Sequence, residues 1–192
     1  MKILIACEYS GAVREAFKKL GHDVMSCDIK DSEIYGNHYK GDVFDIINDG
    51  WDMMIAFPPC THLAVSGAKH FEQKRKDGRQ QQGIDFFIKI VNANIPKIAV
   101  ENPIGIMSNI YKKPSQIIHP YQFGHEASKS TCLWLKNLPL LKPTNIVDKG
   151  KFSVSISGKR IPTWYSNNKK LRDRTFQGIA DAMADQWGHN AK

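Results

Sequence analysis

The sequence predicts a three-layer α/β fold built on a mostly parallel sheet, and three observations carry that expectation. Short apolar runs recur at residues 2–7, 22–28, 52–56 and 97–100, without the polar alternation of strands that face water on one side. Segments with helical spacing stand between them, and strands alternating with helices at this rhythm form parallel sheets with helices on both faces. The composition, 42% hydrophobic and 24% charged over 192 residues, is that of an ordinary globular domain rather than a disordered or fibrous chain.

Taken in order, residues 2–7 form the first strand. Residues 11–20 follow as a helix, with Val13, Ala16, Phe17 and Leu20 on one face and Gly21 where a helix C-terminal glycine sits. Residues 22–28 give a second strand, apolar at Val24 and Met25 and ending in Asp28. Residues 52–56 (DMMIA) and 97–100 (KIAV) are the third and fourth strands. Between them, residues 83–94 form a helix with Ile84, Phe87, Ile88 and Val91 on one side. The second half is less regular. Residues 130–135 (STCLWL) read as a strand, 136–151 as a proline-containing connection and 152–156 as a short strand. Residues 169–187 read as a closing helix, apolar at Ile179, Ala182, Met183 and Trp187. No repeat, low-complexity tract or linker interrupts the chain, so one domain, 1–192, is expected.

Lys and Arg number 27 against 19 Asp and Glu, a net charge of +8. An excess of this size either favours a polyanion as partner or makes a solvated basic surface. The four cysteines, Cys7, Cys27, Cys60 and Cys132, are far apart with no CxxC pair, which argues against a structural zinc site. Three lie in apolar, strand-like stretches, where a free cysteine acts as a small buried hydrophobe. Cys60 follows two prolines in a loop, where packing does not explain it. No apolar run approaches the roughly 20 residues that span a bilayer, and the first apolar run is too short for a secretory signal. A cytoplasmic protein without membrane contact is expected.

Ligands of open α/β sheets bind beyond the carboxyl ends of the strands. Those ends read Cys7-Glu8-Tyr9-Ser10-Gly11, then Asp28, then Phe57-Pro58-Pro59-Cys60, then Glu101-Asn102-Pro103. The first is a strand, a tight turn and a helix N-terminus, which presents backbone N–H groups to a ligand. It has one glycine, Gly11, where a dinucleotide fingerprint has three. Asp28 is positioned to accept hydrogen bonds from ribose hydroxyls, and Asp42 in KGDVFD could accept one from an adenine amino group. With no GKS or GKT phosphate loop in the chain, these residues suit an adenosine-containing cofactor without phosphates. Pro58 and Pro59 fix φ and remove two donors, giving a stiff strand exit that can hold a nucleophile. The next strand brings Glu101, so a thiol and a carboxyl can converge on one small planar substrate. Cysteine chemistry needs the thiolate, through a lowered pKa or a nearby base. His62, two residues on, is either that base or a solvated loop histidine.

With these residues in this order, the chain resembles the cytosine-C5 DNA methyltransferases, especially short phage-type members lacking a full target-recognition domain. The resemblance implies the Rossmann-like class I S-adenosylmethionine-dependent methyltransferase fold and methyl transfer to C5 of cytosine in DNA through a covalent cysteine adduct. It makes Cys60 the nucleophile and Glu101 the residue that protonates the cytosine ring, with Pro59, Asn102, Arg79 and Lys129 contacting the substrate. S-adenosylmethionine would lie against Cys7, Glu8, Tyr9, Ser10, Gly11, Asp28, Ile29, Asp42, Val43, Pro58 and Gly178. Gly178 belongs to FQGIA (176–180), similar to the segment that completes the cofactor pocket, and Gly11 and Arg14 fall on matching positions of the cofactor loop. DNA is the implied partner, no metal is needed, and the setting is the cytoplasm of a bacterial or phage-infected cell.

The chain departs from the family pattern in three ways. Its cofactor loop has fewer glycines. Lys129 and Thr131, within 121–135, stand where arginines are expected. Residues 141–176 are too few for a target-recognition domain and leave a reduced basic insert at about 142–175. An enzyme of this type acting on a free cytosine nucleotide or RNA, or a non-catalytic DNA- or cofactor-binding protein, is therefore the alternative.

Two basic stretches bear on a polyanionic partner. Residues 69–79 (KHFEQKRKDGR) directly follow the nucleophile loop and are expected to act as a mobile lid with phosphate contacts, including Lys74, Arg75 and Lys76. Lys159, Arg160, Lys169, Lys170, Arg172 and Arg174 interleave with Trp164 and Tyr165, a pattern that suits stacking on bases as well as core packing.

Overall fold

The computed structural model describes residues 1–155, 158, 160–163 and 173–189. Seven strands form one sheet: β1 (Lys2–Ala6), β2 (Asp23–Asp28), β3 (His38–Lys40), β4 (Met53–Ala56), β5 (Lys97–Pro103), β6 (Gln116–Ile118) and β7 (Thr131–Lys136). Their order is β3-β2-β1-β4-β5-β7-β6. The pairings among the first five strands are parallel, and β7 runs antiparallel to both β5 and β6. The described helices are α1 (Ala12–Lys19), α2 (Phe71–Lys76), α3 (Arg79–Val91), α4 (Met107–Ile110) and α5 (Gln177–Gly188). β8 (Phe152–Val154) and β9 (Arg160–Pro162) make a separate two-stranded ribbon. This is the mostly parallel Rossmann-like α/β fold that the sequence predicts.

Alternation along the strands builds two cores. Ile3, Ile5, Met53 and Ile55 pack on one face against Phe17 of α1 and Met183 and Trp187 of α5. Leu4, Ala6, Met54 and Ala56 pack on the other with Phe87 and Ile90 of α3 and Trp134 of β7. With both faces covered, the strands have no solvent side to write in polar residues. Each large apolar side chain fully buried here contributes about 1.5–3 kcal/mol. Phe87 meets Trp134 edge-on at 5.1 Å, and the indole N–H groups of Trp134 and Trp187 donate to the carbonyls of Lys112 and Pro139.

Several boundaries differ from the sequence expectation. The first strand stops at Ala6 because Cys7 turns the chain with φ 58°. The helix expected at 83–94 begins at Arg79, since Gly78 at φ 79° supplies the left-handed residue that starts it. β5 runs past Val100 to Pro103 because β7 pairs with it that far: Glu101 lies opposite Leu133 and Asn102 opposite Cys132. The candidate acid therefore sits in a ladder rather than in a loop. β3, β6 and α4 are three or four residues long and show no readable period.

The last described helix starts at Gln177 rather than 169, Phe176 before it being extended with ψ 137°. Ile156, Lys159, Trp164, Tyr165, Lys169, Lys170 and Arg172 lie outside the described residues.

Candidate active site at the carboxyl ends of β4 and β5

β4 and β5 are parallel neighbours in register to Ala56 and Val100, so the segment 57–60 and Glu101-Asn102 leave the sheet side by side. Asn102, 1% exposed, ties them together: its Nδ2 donates to the Pro58 carbonyl at 2.9 Å and to the Glu101 carbonyl at 3.2 Å. Beyond the loop the two segments meet again. Val65 N donates to the Ile104 carbonyl and Ile106 N to that of Leu63, both at 3.0 Å. A Cβ on Gly105 would stand 2.4 Å from the Leu63 carbonyl oxygen, so only glycine permits that approach.

The loop itself is anchored through its carbonyls. That of Cys60 accepts from Leu63 N and Ala64 N at 2.9 and 3.0 Å. Lys74 Nζ donates to the Thr61 carbonyl at 2.6 Å and Gln80 Nε2 to that of His62 at 3.2 Å. Here the expectation for Lys74 is corrected. It is 7% exposed and turned inward, because its ammonium is bonded to the loop rather than free for phosphate. The stretch around it is folded, a 3-10 turn (Val65–His70) running into α2. Lys69, Arg75, Lys76 and Arg79 are exposed. Arg79 binds Asp77 through Nη2 and Nε at 2.5 and 3.0 Å, which holds that carboxyl down at about 2, and Lys76 pairs with Glu72 at 2.8 Å.

Glu101 acts on Cys60. Burial lifts the Glu101 carboxyl above the usual carboxylate range, with Lys129 pulling the other way. Lys129 precedes Thr131, which pairs with Pro103, so the antiparallel run of β7 brings it to this end of the sheet. A thiol of lowered pKa, one of the two routes to the thiolate, is not what the structure holds. Burial pushes Cys60 up, the Glu101 charge pushes it further, and Lys129 only partly offsets both. Asp173, ahead of α5, also raises it. The resting group is a neutral thiol. His62 is half-buried with its Nδ1 unpartnered.

The ends of β1 and β2 form a second cluster. Gly11, at φ 77°, turns the chain into α1. Glu8 is 5% exposed; its Oε1 accepts from Ser10 Oγ at 2.7 Å and Val13 N at 3.1 Å, while Oε2 is buried with no partner. Burial raises its pKa. Arg14 is fully buried and stitches the β2–β3 loop to α1, donating to Ser26 Oγ at 2.9 Å, Ser32 Oγ at 3.1 Å and the Ile34 carbonyl at 2.6 Å.

Ile29 and Tyr35 of that loop are 77% and 100% exposed, Tyr9 is half-buried, and Val43 is buried. Asp28 accepts from Lys30 N at 2.9 Å, and Asp42 from Phe44 N at 3.0 Å. Both carboxylates raise Cys7 and Cys27, the latter to about 12, although burial is the larger cause in each.

A cleft of about 560 Å³ opens beside this cluster, lined by Ser10, Glu33, Ile34, His125, Arg174 and Phe176 among others. An Arg174–Glu33 ion pair links two of its walls. Gly178 N donates to His125 Nε2 at 2.9 Å, and a Cβ on Gly178 would collide with the Phe123 carbonyl oxygen. Burial keeps the His125 pKa below its ordinary value, in keeping with an accepting nitrogen. A cleft of about 370 Å³ lies at the opposite end of the sheet, beside Trp134 and Tyr111, and contains none of the candidate residues.

The structure thus brings together Cys60, Glu101, Asn102, Pro58 and Lys129 at one pair of strand ends, and Glu8, Ser10 and Gly11 at the first, with Asp28 and Asp42 acting on its Cys7. Arg79 is engaged with Asp77. Sequence reasoning missed Gln80, Gly105, His125 and Glu33, which carry no local motif. Among the described residues, no group of three or more His, Cys, Asp and Glu could hold a metal ion, and no helix is long and apolar enough to cross a membrane.

Among solved structures, the chain is similar to a prophage-encoded protein of E. coli described as a candidate DNA modification methyltransferase. The TM-score is 0.51 at 18% identity, over 76% of this chain and 51% of that one. The chain spans about half the length of that neighbour. The likeness carries the fold, a mostly parallel Rossmann-like α/β sheet. No protein-family model matches the chain. No curated protein matches it either.

Proposed function

We propose that the chain is an S-adenosylmethionine-dependent DNA methyltransferase acting on C5 of cytosine through a covalent Cys60 adduct. One observation carries this reading: the Asn102–Pro58 hydrogen bond that locks the Cys60 loop beside Glu101 at the ends of paired parallel strands. The DNA-modifying description of the structural neighbour supports it. An enzyme of this kind works in the cytoplasm of a bacterial or phage-infected cell.

The residues at the first strand ends fit the cofactor. Glu8 Oε2 is a buried acceptor in need of a donor, which a cationic amino group supplies. Asp28 and Asp42 are acceptors for ribose and adenine, and exposed Ile29 offers an apolar surface to a flat ring. When bound, S-adenosylmethionine supplies the electrophilic methyl group that C5 accepts.

C5 of cytosine is inaccessible in a duplex, so the base is flipped out or already single-stranded. The Cys60 thiolate adds to C6 while Glu101 delivers its proton to N3, which turns the ring into an enamine with a nucleophilic C5. A protonated Glu101 serves twice. It holds the proton that N3 needs, and by being neutral it removes the charge that otherwise opposes Cys60 ionisation, leaving Lys129 to favour the thiolate. After methylation the C5 proton passes to solvent water, the C6–S bond breaks, Cys60 departs as thiolate and the N3 proton returns to Glu101.

The test is incubation with methyl-labelled S-adenosylmethionine and, separately, DNA, RNA and free cytosine nucleotides. Label in 5-methylcytosine of DNA is expected. Label only in RNA or nucleotide would move the substrate, and label in none would remove the enzymatic reading.

A further inference from the structure

We infer that Lys74 of α2 and Gln80 of α3 are positioning residues, which hold the Cys60 loop in place by occupying the carbonyls of Thr61 and His62. This rests on the reading of Cys60 as nucleophile. Pro58 and Pro59 have no N–H groups, so the loop cannot be fixed by donors of its own at its start. It is fixed instead from the acceptor side. The carbonyls of Pro58, Cys60, Thr61 and His62 are taken by Asn102, by Leu63 and Ala64, by Lys74 and by Gln80 respectively.

Lys74 and Gln80 are 7% and 5% exposed, against a surface position for Arg75 and Lys76 on the same short helix as Lys74. Burying an ammonium is costly unless it is bonded, so its place is set by the Thr61 carbonyl rather than by solubility. Gly67 leaves the room: a Cβ there would stand 3.3 Å from Lys74 Nζ and 3.6 Å from the Thr61 oxygen. The two residues following the nucleophile are thereby tied to two different helices, and the backbone that carries the thiol cannot swing without breaking one of these hydrogen bonds.

The test uses the full chain and the rate of Cys60 alkylation by iodoacetamide across pH. Peptide mass spectrometry separates Cys60 from Cys7, Cys27 and Cys132, and thermal melting confirms folding. Releasing an anchor lets water reach Cys60, so Lys74→Met and Gln80→Met should each lower its apparent pKa. A fall of about half a pH unit raises the thiolate fraction below that pKa about threefold, and alkylation should quicken accordingly. Lys74→Arg, which keeps a donor, should stay close to the unaltered profile.

An unchanged Cys60 profile in folded Lys74→Met or Gln80→Met overturns the inference. So does equal acceleration at all four cysteines, which would mean general loosening. Methyl transfer by the unaltered chain is read in a separate assay, so a failure there counts against the chemistry of Cys60 and not against the anchoring of its loop.

Discussion

The two strand-end clusters are built on opposite plans. Around Cys60 the loop carbonyls are occupied by Asn102, Lys74 and Gln80, and the segment beyond is bound to residues 104–106. Around Glu8 the bonding is incomplete: Oε2 has no partner, and Ile29 and Tyr35 stand in solvent although Arg14 fixes the loop between them. A group that must attack one atom is best held by the protein alone, because misplacement by about an ångström is costly in rate. A site that is to receive a ligand keeps acceptors and apolar surface in reserve for it.

The comparison breaks most visibly at Cys60. Cys60→Ser is expected to abolish methyl transfer while isothermal calorimetry shows the same affinity for S-adenosylmethionine. DNA containing 5-fluorocytosine cannot release the C5 proton, so a Cys60 adduct should accumulate and appear by intact mass. Turnover near the unaltered level in Cys60→Ser would remove the covalent mechanism.

Glu101→Gln should lower kcat by about 10²–10⁴-fold, the contribution of a positioned general acid. The same change should help the fold at higher pH. Glu101 has its folded pKa raised by burial, so its contribution to stability is complete below the unfolded pKa and is lost as pH rises through the folded one. Glutamine has no proton to lose. Melting temperatures of the two proteins should therefore diverge in favour of Glu101→Gln as pH rises above the usual carboxylate range, and curves that stay parallel would show that Glu101 is not held protonated.

What the sequence made legible follows the same division. Apolar runs without alternation sufficed for β1, β2, β4 and β5, because burial on both faces leaves a strong local signature. Pro58-Pro59-Cys60 and Glu101-Asn102 were readable because they directly follow such runs. The anchoring was not. Lys74 sits among exposed cations in KHFEQKRKDGR, and only the packing of α2 turns it inward. Gly105 looks like any loop glycine until residues 63–65 close over it. The direction of the thiol pKa was not readable for a similar reason: a motif specifies the nucleophile, but desolvation and the Glu101 charge are set by the assembled strands.

At the reserved cluster, effects should be smaller and confined to binding. Asp28→Ala is expected to weaken S-adenosylmethionine binding by about 1.5–3 kcal/mol, the range for a hydrogen bond to a charged group. The Cys60 alkylation profile should not move, since among the described residues the Asp28 carboxylate bonds to Lys30 N and not to that loop. Unchanged affinity in calorimetry would place the cofactor elsewhere.

The smallest expected effect separates the cations within residues 69–79. Arg75 and Lys76 are exposed beside the nucleophile loop, whereas Lys74 is buried under it. Phosphate contacts position a protein on nucleic acid without reading its sequence. Arg75→Gln with Lys76→Gln should therefore weaken DNA binding alike on unrelated sequences and flatten the log–log salt dependence by up to about one unit for each phosphate interaction removed. Lys76 already pairs with Glu72 at 2.8 Å, so it gives up part of its attraction to that carboxylate and should contribute less than Arg75. Lys74→Met should leave the salt slope unchanged and alter only Cys60 reactivity. Fluorescence anisotropy on two unrelated duplexes over a salt series measures the slope for each variant. If Lys74→Met flattens it as Arg75→Gln does, its ammonium meets phosphate in solution, and the contrast between anchor and surface cation disappears.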